Sequence, residues 1–211
     1  MQAKYLGIVT LVVINALPLS TASAETPSAC VPPPGFVDTP RPELAPPEEL
    51  ITNTVEVTIE RPLAAVLDLN SKTPLRINRS GSLPGVTGIH RLNQGPFQAG
   101  ARRLVCLTDG STASEEVLVW ERNPDRTRHQ YVVWNYTSSA FDAVSYAVGE
   151  FVHTAVGDKR THVRWTYSFR LKPESDPTSF REKIFEREWI PYMRSSIAGK
   201  KQRAEEVLPA A

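Results

Sequence analysis

The chain has 211 residues, with 24 lysines and arginines against 23 aspartates and glutamates, and therefore a formal net charge of +1. A nucleic-acid-binding protein needs an excess of basic residues to neutralise phosphates, and this nearly balanced charge argues against that class. The length is sufficient for one domain with a sizeable hydrophobic core.

The first 24 residues have the features of an export signal. Lys4 supplies a basic start, residues 5–19 are uncharged and mostly apolar, and Ala22-Ser23-Ala24 fits the small-x-small cleavage pattern. An uncleaved membrane anchor is the alternative, since roughly 20 apolar residues can span a bilayer, but several polar residues and Pro18 interrupt this stretch. We therefore predict cleavage after Ala24, a periplasmic or secreted protein, and no stable membrane insertion after signal removal. Loss of Lys4 makes the mature chain formally neutral.

Residues 25–52 form a proline-rich leader, in which Pro27 to Pro47 hold eight of the 18 prolines. Proline fixes φ and removes a donor, so we expect an extended segment, either a spacer or an arm lying on the domain, and favour the spacer. The two cysteines, Cys30 and Cys106, form a bridge in one interpretation. Because nothing in the sequence brings the leader near Cys106, the pattern favours a buried free thiol there.

The folded domain is predicted over 53–207. Residues 55–60 alternate as a half-buried strand, and Pro62 suits the first turn of a short helix over 63–67. Residues 70–84 are polar and irregular, with room for a second short helix. The later strands are predicted over 85–92, 102–107, 115–121, 128–136, 144–153 and 161–171. Short turns between them, such as Asp109-Gly110, indicate an antiparallel meander.

The last predicted element is a long amphipathic helix. Asp176 suits its N-cap and Pro177 its first position, while Pro191 predicts a kink. The charged end, 199–211, is expected to fray, with 208–211 as a disordered tail. The apolar stripe at helical spacing comprises Phe180, Ile184, Phe185, Trp189, Tyr192, Met193 and Ile197.

This order of elements resembles the START-related (SRPBCC) superfamily with the helix-grip fold, especially its polyketide cyclase/dehydrase and lipid-transport branch. Residues 100–110, Gly-Ala-Arg-Arg-Leu-Val-Cys-Leu-Thr-Asp-Gly, are similar to that branch's third strand and turn. The resemblance implies an α+β fold, with a curved antiparallel sheet wrapped around the long C-terminal helix and two short helices after the first strand. Single residues that resemble the branch's following strands are Glu116, Tyr131, Tyr146, Trp165 and Phe169.

The resemblance also implies a pocket on one face of the sheet, closed by the C-terminal helix. Apolar and aromatic walls with a few placed polar atoms are the usual design of small-molecule sites. A solid core built from the same residues is the alternative. The predicted ligand-binding residues are Glu116, Leu118, Trp120, Tyr131, Val133, Asn135, Tyr146, Glu150, Val163, Trp165, Tyr167, Ile184 and Trp189.

Glu116 and Glu150 are the sharpest individual candidates, because an inward carboxylate needs a cation, a hydrogen bond, a proton or water. Arg103 is a possible partner for Glu116. Alternatively, either carboxylate lies at the wet rim of the pocket. The four histidines fall mostly on predicted outward faces, and no cluster has the ligand spacing of a metal site. We predict no metal, no cofactor and no catalytic nucleophile.

The leading hypothesis is an exported carrier or sensor that holds an apolar ligand (a lipid, a polyketide-like or another hydrophobic compound) between sheet and helix. The alternative is a polyketide cyclase or dehydratase that uses an inward Glu or Tyr as acid or base. A non-catalytic role is favoured, because polyketide intermediates usually ride on cytosolic carriers. A third hypothesis is an adaptor that uses the leader as a recognition strip.

Overall fold

The computed structural model describes residues 30–72 and 83–208. One α+β domain contains a seven-stranded sheet, a helix after the first strand, and a long C-terminal helix. The predicted second short helix falls within 70–84 and so lies largely outside the described residues. The elements of the first part are β1 (Ile51–Ile59), α1 (Leu63–Lys72), β2 (Val86–Arg91), β3 (Arg102–Leu107), β4 (Thr112–Arg122), β5 (Arg126–Trp134), β6 (Val144–Val156) and β7 (Arg160–Leu171).

The sheet order is β1-β7-β6-β5-β4-β3-β2, and every neighbouring pair is antiparallel. Strands β2 to β7 therefore form the predicted meander, and β1 returns to the edge beside β7. The aromatic strand β7 lies between β1 and β6, so its alternating side chains are fixed on both sides. Val163, Trp165 and Tyr167 point into the core, as the period-2 pattern predicted.

The C-terminal helix consists of α2 (Pro177–Phe180), a π-helical segment (Arg181–Trp189) and α3 (Ile190–Val207). Asp176 caps it as predicted, because its carboxylate accepts a hydrogen bond from the Thr178 amide at 2.9 Å. Near Pro191, where a kink was predicted, the π-helical turns end at Trp189 and α-helical turns begin at Ile190. Pro191 has no N–H to donate, so a change in the hydrogen-bond ladder at this point is expected.

The predicted fraying from residue 199 onward is wrong, because α3 remains helical to Val207. Lys200 and Ala204 are buried on the face that also carries Ile197. The core-facing stripe of the helix thus extends about two turns beyond Ile197, to Ala204. Within 30–72 and 83–208, no helix is both long and apolar enough to cross a bilayer.

From Cys30 onward the leader lies on the outer face of the sheet, so its interpretation as a spacer is wrong. Cys30 and Cys106 form a disulfide, which corrects the expectation of a free thiol. Leu44, Ala45 and Leu50 pack on a second apolar cluster, separate from the main core. Polar contacts join leader and sheet between Asp38 and Arg102 (2.7 Å), Thr39 and Trp134 (3.0 Å), Arg41 and Glu116 (3.1 Å), and Ala45 and Tyr146 (2.5 Å).

Candidate functional site

Strand register decides which side chains face the C-terminal helix, and a β-bulge changes this assignment in β4. Trp120 lies opposite His129 on the inner face, but the register shifts between Val117 and Val119. A bulge inserts one extra residue and so inverts the alternation on one side of it. Glu116 therefore lies on the outer face, and its carboxylate contacts Arg41 and Arg102.

The inward prediction is also wrong for Leu118, Tyr146 and Glu150. Leu118 and Tyr146 belong to the apolar cluster under the leader, and the Tyr146 hydroxyl accepts a hydrogen bond from Ala45. The Glu150 carboxylate accepts a hydrogen bond from Arg128 Nε at 2.6 Å. Because the leader buries part of the outer face, both faces of β6 carry apolar residues, and alternation alone did not identify the inner one.

Asn135 lies outside the predicted strand. β5 ends at Trp134, and Asn135 is exposed with a φ of 55°. This left-handed conformation is tolerated by asparagine and begins the connection to β6. The remaining predicted residues do face the core or its rim, namely Trp120, Tyr131, Val133, Val163, Trp165, Tyr167, Ile184 and Trp189. Their role as ligand contacts stays a prediction.

Aromatic side chains fill the middle of the space between sheet and helix. The rings of Tyr167 and Trp189 are 4.5 Å apart, and those of Phe169 and Trp189 are 5.0 Å apart. Tyr192 stacks on Trp189 at 5.0 Å from the helix side. These edge and stacked contacts give the packing of a solid core in this region.

Polar groups are concentrated toward the end of the inner face where the β2–β3 and β4–β5 connections lie. There Arg103 Nε donates a 2.5 Å hydrogen bond to Glu115, one residue from the predicted Glu116. Glu115 is almost completely buried, and this burial raises its pKa although the Arg103 charge opposes the rise. The two side chains together form a neutral ion pair inside the fold.

A second polar pair joins the helix to the sheet. Lys200 Nζ is 3.0 Å from His153 Nε2, and His153 Nδ1 is 3.4 Å from the Thr127 hydroxyl. Lys200 Nζ also lies 4.9 Å from the centre of the Phe151 ring. Burial disfavours charge on both groups, so it lowers the pKa of Lys200 to about 7 and the pKa of His153 well below its ordinary value.

His129, on β5, is close enough to both pairs to be affected by their charges. Burial, together with the charges of Arg103 and Lys200, lowers the pKa of its imidazole to about 3. Its Nε2 is buried without a hydrogen-bond partner. Phe97, on the connection between β2 and β3, packs edge-on against His129 and Trp120, with ring centres 5.3 and 4.9 Å away.

Tyr131 lies flat across the sheet because its cross-strand partner is Gly149. A Cβ at position 149 would overlap the phenol ring, so the close approach requires glycine. Burial raises the pKa of Tyr131 well above its ordinary value, which keeps the phenol neutral. Tyr167 continues the row, and its hydroxyl is 3.3 Å from that of Tyr136.

The inner face thus combines an aromatic wall with neutral hydrogen-bonding groups, a neutral ion pair and a buried amine. Such groups orient a small molecule or exchange protons with it. Among the described residues, no group of three His, Cys, Asp or Glu side chains is placed to hold a metal ion. Apart from this face, an open groove of about 350 Å³ lies between β1 and α3, with Thr54, Val57, Arg194 and Ile197 among its lining residues.

Sequence reasoning missed Glu115, His129, His153 and Lys200 as inner-face residues. His153 was assigned outward because the inner face of β6 was inferred from Tyr146 and its alternate neighbours, which face the leader, whereas His129 shares the correctly predicted inner alternation of Tyr131 and was overlooked. Lys200 carried a usable signal, since it follows Met193 and Ile197 at positions i+7 and i+3 of one helical stripe. A lysine on a core-facing stripe is unusual enough to single out.

The amino-acid sequence matches no protein-family model and no curated protein. The backbone is similar to that of an aromatase/cyclase (Zhui) from a Streptomyces species, with a TM-score of 0.55, 15% identity, and coverage of 76% of this chain and 97% of that one. It is also similar to Ara h 8.0201, with a TM-score of 0.51, 13% identity, and coverage of 72% and 99%. An uncharacterised protein from Bacillus thuringiensis is similar with a TM-score of 0.51 and 15% identity, and the match covers 74% of this chain and 99% of that one.

At these identities the comparisons show the fold alone. They confirm that the chain has the helix-grip fold.

Proposed function

We propose that the protein binds an apolar small molecule between the inner face of the sheet and the C-terminal helix, as a carrier or sensor. The observation that carries the proposal is a set of polar side chains on this face: Glu115, His153 and Lys200, which are buried, and His129, which is half-buried. A core that served only stability would gain from apolar residues of similar volume at these positions. Groups that orient a ligand account for their presence.

Two buried polar atoms without partners support the same conclusion. His129 Nε2 and Trp189 Nε1 are buried and make no hydrogen bond. An unsatisfied buried polar group costs about 1–3 kcal/mol, and native proteins keep few of them. A bound molecule that offers an oxygen or nitrogen to these atoms removes this cost. The fold shared with an aromatase/cyclase is compatible with such a guest.

Entry is proposed at Phe97, because this ring covers His129 and Trp120 from a connection with exposed neighbours. Gly95 and Gly100 flank it with φ values of 114° and 83°, and both have open space around them. Movement of Phe97 away from His129 would open this end of the inner face, at the cost of hydrogen bonds such as those that Arg91 and Asn93 donate to the Gly95 and Gly100 carbonyls.

Export to the periplasm or the exterior is part of the proposal. The apolar segment before residue 24 favours it, and the Cys30–Cys106 disulfide supports it, since disulfides persist in oxidising compartments. Fractionation of cells that express the full chain, with intact mass of the recovered protein, tests cleavage after Ala24. Recovery of an uncleaved cytoplasmic protein with free thiols would refute this part.

The binding test uses native mass spectrometry of gently purified protein and titration with the neutral fluorophore N-phenyl-1-naphthylamine. Two neighbouring pairs of positions give matched controls, because one member of each faces inward and the other outward. Trp120→Ala and Glu115→Gln change the inner face, whereas Leu118→Ala and Glu116→Gln change the outer one.

We expect Trp120→Ala to weaken probe binding about tenfold, because an aromatic contact and its buried area are lost. Leu118→Ala should leave binding within about twofold of the wild type. Absence of any co-purified or exchangeable apolar ligand, or equal losses in the two variants, would contradict the proposed site.

The enzyme hypothesis is supported by one observation, the group of titratable side chains with perturbed pKa values around His129. With Glu116 and Glu150 on the outer face, the acid or base would be Glu115, a histidine or the inward Tyr131. Turnover of a polyketide-like substrate by the wild type, abolished in Glu115→Gln and kept in Glu116→Gln, would establish this chemistry. Equal turnover in both variants would remove Glu115 from it.

A further inference from the structure

Lys200 is a buried amine on the core-facing side of α3, between Ile197 and Ala204. Its only polar contact among the described residues is with His153, a side chain that carries no negative charge. A buried ammonium without a counter-ion is unfavourable, and folded proteins usually pair it. The described part of the fold therefore provides no counter-ion for a charged Lys200.

We propose that Lys200, His153 and His129 form the receptor for the carboxylate group of an apolar carboxylic acid. The inference rests on the proposed binding function and names the chemical class of its ligand. The ligand's apolar part would lie along Phe151 toward Trp120 and Phe97, away from the close-packed rings of Trp165 and Trp189. Its carboxylate would accept hydrogen bonds from the Lys200 ammonium and from an imidazole N–H.

α3 packs against β1 and continues from the π-helical segment, whose acidic residues Glu182, Glu186 and Glu188 precede Lys200 by at least twelve residues, or about 18 Å along the helix. The inner face of β1 presents Ile51, Asn53, Val55, Val57 and Ile59, none of which titrates, and that of β7 presents only apolar and aromatic residues and a threonine. β6 contributes His153, and β5 contributes His129.

Glu115 is an acidic group on the inner face, and it is already paired with Arg103 at 2.5 Å. On α3 itself, the neighbouring Lys201 pairs with Glu205 at 2.9 Å on another side of the helix. Because Arg103 and Glu115 neutralise each other, the inner-face residues within 30–72 and 83–208 include no anion that offsets charge on Lys200. A ligand carboxylate supplies this charge without displacing an existing ion pair.

Arrival of a carboxylate also changes the protonation of Lys200. Burial holds the pKa of the free amine at about 7, and an adjacent anion raises it. Above pH 7 the protein must therefore take up a proton when the acid binds. Affinity for the acid should fall by up to about tenfold per pH unit above 7, whereas affinity for a neutral analogue should not change.

The test compares acids with neutral partners of the same shape by isothermal titration calorimetry. The probe pairs are dodecanoic acid with dodecanol, and 2-naphthoic acid with 2-naphthamide. Wild type, Lys200→Met and the matched control Lys201→Met are titrated at pH 6.5 and pH 8.5. Buffers of different ionisation enthalpy at pH 8.5 report the number of protons taken up.

In at least one pair, we expect the wild type to prefer the acid by about tenfold or more at pH 6.5, as a charge-assisted contact implies. Proton uptake at pH 8.5 should approach one per acid bound. Lys200→Met should lose both the preference and the uptake while it keeps the neutral partner, and Lys201→Met should behave like the wild type.

Equal affinity for acid and neutral partner in every binding pair, or a preference that survives Lys200→Met, would overturn the carboxylate receptor and leave the proposed apolar site standing. Failure of all four probes to bind would overturn both. The comparison of acid with neutral partner in the wild type decides the question even where Lys200→Met does not fold.

Discussion

Replacement of Lys200 by methionine should stabilise the ligand-free protein and change how its stability depends on pH. Methionine keeps the length and apolar character of the lysine stem and removes the buried amine. Burial lowers the pKa of Lys200 from 10.5 to about 7. Since one pKa unit corresponds to about 1.4 kcal/mol, the charged lysine disfavours the native state by an amount on the order of 4 kcal/mol at and below pH 7.

The sign of the pH dependence follows from where the proton is held. Between pH 7 and 10.5 the unfolded chain keeps the proton of Lys200 and the native state does not. Stability of the wild type should therefore rise across this window, by on the order of 2 kcal/mol from pH 7 to pH 9. His129 and His153 are neutral in both states there, because their folded pKa values are lowered, and they add no slope.

Urea unfolding of the wild type, Lys200→Met and Lys201→Met at pH 7, 8 and 9 measures this effect. Lys201→Met is the matched control, because Lys201 is partly exposed and pairs with Glu205. We expect the free energy of unfolding to be higher in Lys200→Met at pH 7, and the difference to shrink toward pH 9. Parallel pH profiles in the wild type and Lys200→Met would refute the assignment of a buried, uncompensated amine.

Three further changes test other parts of the fold. Removal of the disulfide by Cys30→Ser with Cys106→Ala opens a loop of 76 positions, which should cost about 4 kcal/mol of stability by chain entropy. Hydrogen exchange in the leader should also rise. An unchanged urea midpoint would contradict this expectation. Gly149→Ala makes a methyl group overlap the Tyr131 ring and should lower stability by about 2 kcal/mol. In a double-mutant cycle, Tyr131→Ala should partly rescue this loss. Additive losses would show that the two positions are not in contact. Below pH 6.5, His153 is protonated in the unfolded chain but stays neutral in the native state, so stability should fall as the pH falls. His153→Gln should reduce this slope in urea titrations between pH 4.5 and 6.5. An equal slope in both proteins would show that His153 is not the source.

The fold was largely predictable, because local patterns and global architecture agree. The alternation of Val163, Trp165 and Tyr167 places these side chains toward the core, and Asp176 with Pro177 marks the start of the helix that covers them. The comparisons with solved structures confirm the architecture that this order of elements implies.

The site was predicted only in part. Tyr131 and Trp165 face the core, but Glu116 and Tyr146 do not. Alternation separates the two faces of a strand, but it identifies the buried face only when the other face carries polar, solvent-exposed residues. Here the leader covers part of the outer face, so both faces carry apolar residues.

The sequence by itself determined the strand and helix pattern, because periods of 2 and 3.6 are properties of single segments. Only the tertiary structure decided which face of β4 and β6 meets the C-terminal helix, since that choice depends on a bulge after Val117 and on the leader held by Cys30. The same long-range packing brings His129 and His153 together with Lys200. No local pattern contains that arrangement, because its members come from strands and a helix that meet only when the chain folds.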